Sequence, residues 1–208
     1  MIRFQTLSFL SIVFIGLAAC KKEEQSPTPK LRQRVFTNGK EIEDEAVKNR
    51  FIQKSGTPFN ELAASSDDII KFIKPDTVSF NLSGTSPFSV VRNNSQYLFY
   101  SPLTLRVTAE YSASPLWLML KHVSPLFPIL GSGGTFEYIT REVRVGYADR
   151  GAVRLSVLHY RFKRTDRGTA HYENSGYLFN EFNEAAIPHI LAGDTLAIQE
   201  SSLMLTIH

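Results

Sequence analysis

From Asp76 onward the chain alternates apolar and polar residues with a period of two, and that period limits its fold more than any other feature. Val78, Phe80 and Leu82 alternate with polar neighbours, and Leu103, Leu105, Val107, Ala109 and Tyr111 alternate with Thr104, Arg106, Thr108 and Glu110. Successive side chains of a strand point to opposite faces, so each run predicts a strand with one buried face. Turn chemistry joins these strands in order. Asn93-Asn94 marks a tight hairpin, because asparagine tolerates the positive φ that a two-residue turn demands. Asp149-Arg150-Gly151 and Asp166-Arg167-Gly168 read as hairpin turns with glycine in a left-handed position. Between them the apolar residues pass from odd positions (Val153, Leu155, Val157) to even ones (Leu158, Tyr160, Phe162), which predicts a β-bulge near Val157-Leu158.

Roughly eight or nine strands joined as consecutive hairpins predict a mainly β fold, an antiparallel meander that forms a lipocalin-like barrel or a β-sandwich. The barrel is the preferred form, although both alternatives bury alternate residues of the same strands. One or two short helices precede the strands. Asp44 is placed to cap a helix running to about Lys54, with Val47 and Phe51 on one face and Gly56 as its stop. Ser66-Asp67-Asp68 reads as the start of a second helix through Ile69, Ile70, Phe72 and Ile73, halted by Pro75.

Cys20 is the only cysteine, so the chain forms no internal disulfide and offers no cysteine-based zinc site. It follows a cationic residue, Arg3, an apolar run at residues 7–17 and the small pair Ala18-Ala19. That run is shorter than the roughly 20 apolar residues a membrane-spanning helix needs. Leu17-Ala18-Ala19-Cys20 resembles the lipobox of bacterial lipoproteins. The resemblance implies that residues 1–19 are a signal peptide, that the Cys20 thiol carries a diacylglyceryl group, and that a lipid anchor holds the chain on a membrane. Residues 20–34 then comprise the lipidated cysteine and a polar, Pro-containing tether, and residues 35–208 a single mostly β domain. Lys21-Lys22-Glu23-Glu24 also resembles the export signal of surface lipoproteins in Bacteroidota-type bacteria, which implies an outer-membrane location with display at the cell surface. The formal charge of the whole chain is +3, and Arg3 leaves with the signal. So small a basic excess, scattered among acidic residues, argues against a nucleic-acid partner.

Chemistry-bearing motifs are sparse. None of His122, His159, His171, His189 and His208 forms a zinc-ligand pair at i, i+2 or i, i+4 spacing, so no metal is expected, and no motif calls for a cofactor. A symmetric turn at Asp166-Arg167-Gly168 places His171 opposite about Phe162 and His159 opposite about Asn174, away from each other. No Gly-x-Ser-x-Gly elbow is present, and Gly131-Ser132-Gly133-Gly134 lacks the lysine of a phosphate loop. The carboxylate pairs Glu43 with Glu45, Asp67 with Asp68, and Glu181 with Glu184 read as solvated helix starts and loops, and no catalytic residue is assigned.

Residues 115–130 are different. They hold the only tryptophan and three prolines, and they are apolar at consecutive positions, unlike an interior antiparallel strand. They read either as a plug that packs over one end of the barrel or as the rim of an apolar ligand cavity. The candidate ligand-binding residues are Trp117 and Met119 with Phe127, and Tyr160 and Phe162, which with Tyr97 and Phe99 would line such a cavity. Asp76-Thr77-Val78 and Asp194-Thr195-Leu196 resemble the O-glycan acceptor of exported Bacteroidota-type proteins, which makes Thr77 and Thr195 modification candidates. The leading functional reading is a non-catalytic accessory or binding module on the outer membrane, with an apolar ligand or an outer-membrane protein as partner. A lipocalin-like carrier of an apolar small molecule is the alternative, and a carboxylate-based glycan hydrolase the third.

Overall fold

The structure, a computed structural model, describes residues 32–54, 69–81, 87–131, 136–166 and 170–208. Cys20, the signal, most of the tether, Ser66-Asp67-Asp68, most of the glycine-rich loop and the centre of the turn after Asp166 lie outside the described residues.

The chain runs through β1 (Arg32–Thr37), β2 (Lys40–Glu41), α1 (Glu45–Lys54), β3 (Ile69–Lys74), β4 (Thr77–Phe80), β5 (Phe88–Asn93) and β6 (Gln96–Thr108). Short helices α2 (Ala109–Ser112) and α3 (Pro115–Leu118) follow, then β7 (Phe127–Leu130), β8 (Phe136–Asp149), β9 (Ala152–Asp166) and β10 (Ala170–Leu178). A 3₁₀ segment (Glu184–His189) and β11 (Thr195–Ile207) complete it. Strands β3, β4, β5, β6, β8 and β9 form an antiparallel meander that β11 closes into a seven-strand barrel. β11 lies antiparallel to β9 along its length and parallel to β3 through Thr206↔Ile69 and Ile207↔Ile70.

The turns behave as their residues dictate. Asn94 takes φ of 54° between β5 and β6, and Arg150-Gly151 takes 42° and 87° between β8 and β9. At Arg150-Gly151 both central residues are at positive φ, the twist that suits a two-residue hairpin, whereas Asn93 pairs with Gln96, so the β5–β6 turn is Asn94-Ser95, one residue beyond the expected pair, with Asn94 alone at positive φ. Asp44 Oδ1 accepts from the N–H groups of Ala46 (2.8 Å) and Val47 (3.0 Å), which caps α1. The face of α1 that packs is not the expected one. Ile52 is buried against Val35 and Ala197, while Val47 and Phe51 remain more than one-third exposed.

Two expectations from the sequence are corrected. Ile69, Ile70, Phe72 and Ile73 form strand β3 rather than a helix, with Ile70 fully buried and Lys71 and Ile73 facing out. Three β-branched residues favour a pleated surface, and Pro75-Asp76 turns the chain into β4 instead of ending a helix. There is also no bulge at Val157-Leu158. β9 keeps one register against β11 from Thr195↔Lys163 to Thr206↔Ala152. The parity changes because the two strands serve two cores on opposite faces. At one end the odd residues Val153, Leu155, Val157, Leu203 and Leu205 point into the barrel. At the other end the even residues Leu158, Phe162, Leu196 and Ile198 meet Phe36, Leu116, Met119, Phe182, Ala186 and Ile190. Cross-strand partners share a face, so a fixed register carries both sets without interruption.

Register does shift in β3, between Phe72 and Lys74, and more strongly in β6, where Tyr100 opposes Val143 and Thr104 opposes Arg141, leaving Ser101, Pro102 and Leu103 against Glu142 alone. Proline removes a ladder donor, which is why strands bulge there. β5 stops pairing at Tyr100, and β8 pairs with β9 only through Gly146–Asp149 residues opposite Ala152–Leu155 residues. Beyond those points β6 and β8 leave the barrel together and carry β7 at their far edge.

Candidate functional site

Where β8 and β9 part, residues 179–183 enter as a wedge. The Val145 N–H donates to the Phe179 carbonyl (2.8 Å), the Lys121 N–H to the Glu181 carbonyl (3.0 Å), and the Asn183 N–H to the Met119 carbonyl (2.8 Å). Asn180 fastens the centre. Its Nδ2 donates to the His122 (2.8 Å) and Val143 (3.0 Å) carbonyls, and its Oδ1 accepts from the N–H groups of His122 (3.1 Å) and Glu181 (2.9 Å). A buried amide side chain with every group matched holds its surroundings in one arrangement.

Glu181 gathers the polar groups of this seam. Its carboxylate contacts Lys121 Nζ (2.9 Å), His122 Nε2 (3.2 Å), Ser156 Oγ (3.4 Å) and the Tyr147 hydroxyl, which also accepts from Gln96 Nε2 (3.0 Å). Burial alone would push the acid upward, but hydrogen bonds from His122, Tyr147 and Lys121 and the charge of Lys121 outweigh it and hold the carboxyl down at about 2. Burial and then the neighbouring carboxylate push the Tyr147 phenol up to about 12. A strongly acidic carboxylate surrounded by donors is a structural tie rather than a proton shuttle near neutral pH.

Beside this seam lies an open cleft of about 530 Å³. Leu105 and Val107 of β6, Tyr111 of α2, Trp117 of α3, Leu120, Val123, Leu178 and Phe179 form its apolar lining. Asn180, His122, Glu142, Arg106 and Arg141 supply its polar groups. Trp117 is almost wholly buried and packs edge-on to Tyr111 with ring centroids 6.2 Å apart. Leu105 (46 % exposed), Tyr111 (41 %) and Val123 (44 %) leave apolar surface open to solvent.

The aromatic residues expected to line one cavity do not meet. Tyr97 and Phe99 lie in the barrel, where Phe80 stands edge-on to both Phe88 and Phe99 at 5.1 Å, and the Arg144 guanidinium covers Phe80, Phe88 and Phe179. Tyr160, Phe162 and Met119 pack together in the second core, on the opposite face of the β9–β11 ladder. Strand parity explains the separation, since Val157 and Tyr160 are an odd number of residues apart and so face opposite ways. Phe127 is 61 % exposed on β7 and borders a separate hollow with Thr104, Ile139 and Arg141. Of the five candidates, Trp117 alone lines the large cleft.

Thr77 is half-buried at the start of β4 with its hydroxyl on Asp76 Oδ1 (3.0 Å). Thr195 is half-buried within β11 between Thr37 and Lys163, while the buried Asp194 accepts from the Thr165 N–H (3.0 Å). His159 opposes Tyr177 and His171 opposes Thr165, shifted along the ladder from the expected partners and well apart. Among the described residues no group of three His, Asp or Glu side chains converges as a metal site. Glu184 is held by Arg34 (2.5 Å), which also bonds Glu41 (2.6 Å), so Glu181 and Glu184 serve different ion pairs.

Leu105, Val107, Tyr111 and Phe179 also line the cleft, although the sequence does not single them out as site residues. The first three fit one alternating strand in the sequence, but β6 ends at Thr108, whose Oγ1 accepts from the Tyr111 N–H (3.1 Å) and caps α2. That cap is the signal the sequence carried. No protein family model, curated protein or solved structure matches the chain.

Proposed function

We propose that this chain is a non-catalytic binding module, held on the outer membrane through lipid on Cys20, and that the cleft beside Trp117 is its binding surface. One observation carries the reading: the cleft keeps apolar walls open at Leu105, Tyr111 and Val123, whereas the apolar residues of the barrel are packed against one another. Concave apolar sites of about 300 to 1,000 Å³ with a few polar groups are the usual form of small-ligand pockets. Carriage of an apolar molecule would use this cleft in preference to the barrel interior. Hydrolysis finds less support, because Glu142 is bonded to Arg144 Nε (2.8 Å) and Glu181 is tied to Lys121 and His122.

Two measurements test the two halves of the proposal. Cys20→Ser should move the protein from the membrane pellet to the soluble fraction and abolish palmitate labelling, since the described residues contain no helix long and apolar enough to cross a membrane. A serine variant with its signal removed that still pellets with membranes defeats the anchor. For the cleft, titration with an apolar fluorescent probe should change the emission of Trp117, the sole tryptophan. An emission indifferent to every apolar probe defeats the site.

A further inference from the structure

We infer that the cleft takes a small anionic amphiphile, its apolar body against Leu105, Val107, Trp117 and Val123 and its acid group on Arg106 and Arg141. The inference rests on the proposed binding role of the same cleft and names the ligand class.

The charges around the cleft decide the sign of the head group. Glu142 is matched by Arg144 Nε (2.8 Å), and His122 is bonded to Glu181 (3.2 Å). Arg106 and Arg141 are exposed, line the cleft, and take part in no ion pair among the described residues. In the β6–β8 ladder Arg106 opposes Ile139 and Arg141 opposes Thr104, so the two arginines are diagonal neighbours on one face. Diagonal partners lie roughly 7 to 8 Å apart, within the span of two long side chains closing on one anion. Leu105 and Val107 alternate with Arg106 and so stand on the other face of β6, yet all three line the cleft, which therefore reaches both faces along the edge of β6 that β5 has left. Glu137 is the other diagonal neighbour of Arg106, but it does not line the cleft and forms no ion pair with it. Arginine presents a planar fork that pairs bidentately with carboxylate or phosphate, and such charge-assisted bonds are about twice as strong as neutral ones. A cationic ligand would meet two uncompensated charges, and a neutral one would leave them unused.

The test uses the mature chain carrying Cys20→Ser and reads Trp117 emission during titration with dodecanoate, dodecanol or dodecylammonium below their micellar concentrations. A parallel titration uses phosphatidylglycerol vesicles. The expected result is saturable binding of dodecanoate at least about ten-fold tighter than dodecanol, with dodecylammonium weakest. The double variant Arg106→Gln/Arg141→Gln should erase the preference for dodecanoate, keep the affinity for dodecanol, and melt at the same temperature. Equal affinity for the acid and the alcohol, or a preference that survives the double variant, overturns the anionic assignment and leaves the binding role of the cleft standing. Silence toward all three amphiphiles defeats the binding role itself. A response to the vesicles without one to dodecanoate overturns the inference in favour of docking on a lipid surface.

Discussion

The two halves of β6 present odd-numbered apolar residues on one continuous face, and the first residues on either side of Pro102 meet opposite fates. Before Pro102, Tyr97 and Phe99 are buried in the barrel; after it, Leu103 is 65 % exposed and Leu105 nearly half exposed. Both halves pair with β8, and the same parity faces inward or continues that face. The difference lies in what stands opposite. The first half has β5 beside it and, across the barrel, Val153 and Leu155 of β9, whereas the second has lost β5 and looks onto the cleft. Alternation therefore states which residues share a face, and topology decides whether that face is covered. In this protein the filled space is inside the barrel and the open apolar space lies outside it.

The comparison breaks most visibly if the barrel tolerates truncation. Phe99→Ala removes a fully buried ring in contact with Phe80 and Tyr97, and should cost about 3 to 5 kcal/mol in urea unfolding. A loss below about 1 kcal/mol would mean that the interior is loosely packed and that the barrel, not the cleft, has room for a ligand.

The seam between the halves should respond to acid. Glu181 ties Lys121 and His122, beside the cleft, to Tyr147 of β8 and Ser156 of β9. Its carboxyl falls from 4.5 to about 2 on folding. A lowered acid stabilises the native state fully above the unfolded value, and this contribution disappears as pH drops from 4.5 through about 2. The whole effect is on the order of 3 kcal/mol. Unfolding curves taken from pH 7 down to pH 2 should show that decline, and Glu181→Gln should flatten it while lowering stability at pH 7. A variant whose acid limb matches the parent would place the titrating group elsewhere.

A smaller effect sharpens how tightly the barrel is filled. A Cβ on Gly146 would lie 2.9 Å from Val153 Cγ1 and 3.2 Å from both Leu155 Cδ2 and Phe99 Cε2. Gly146→Ala should therefore destabilise by about 1 to 3 kcal/mol through overpacking, with no gain from the added methyl. A neutral or stabilising result in thermal melts would reveal slack around Phe99.

Much of the barrel was legible because its signals are local. Asn94 and Gly151 adopt the left-handed backbone that their residue types suggest, Arg150 joins them because the two-residue turn requires it, and Asp44 caps α1 as its position implies. Asn38-Gly39, at φ of 49° and 66°, turns β1 into β2 and is an equally strong hairpin signal in the sequence. What failed was long-range. The parity change at Val157-Leu158 reads locally as a bulge, yet it arises because Phe36, Met119 and Phe182, distant in sequence, cover the second face. The larger register shift, at residues 101–103, has Pro102 as its marker. At the cleft, Trp117 stood out as the sole tryptophan, whereas Phe179 and Asn180 did not, since their importance comes from entering the gap between β8 and β9.

The smallest stability effect belongs to the exposed half of β6 and carries the largest functional consequence. Leu105 opposes Thr140, keeps nearly half its surface in water, and lines the cleft. Truncation or polar replacement there removes little area that folding had buried, so Leu105→Ser should shift the unfolding free energy by no more than about 0.5 to 1 kcal/mol. The same change deletes apolar wall from the proposed binding surface. Dodecanoate and dodecanol should both lose affinity by roughly five- to ten-fold, in contrast to the arginine double variant, which acts on the acid alone. If Leu105→Ser instead unfolds the chain as readily as Phe99→Ala, the outer half of β6 is covered in solution. If it leaves both amphiphiles unaffected, they bind away from this wall, and Trp117 reports on them from a distance.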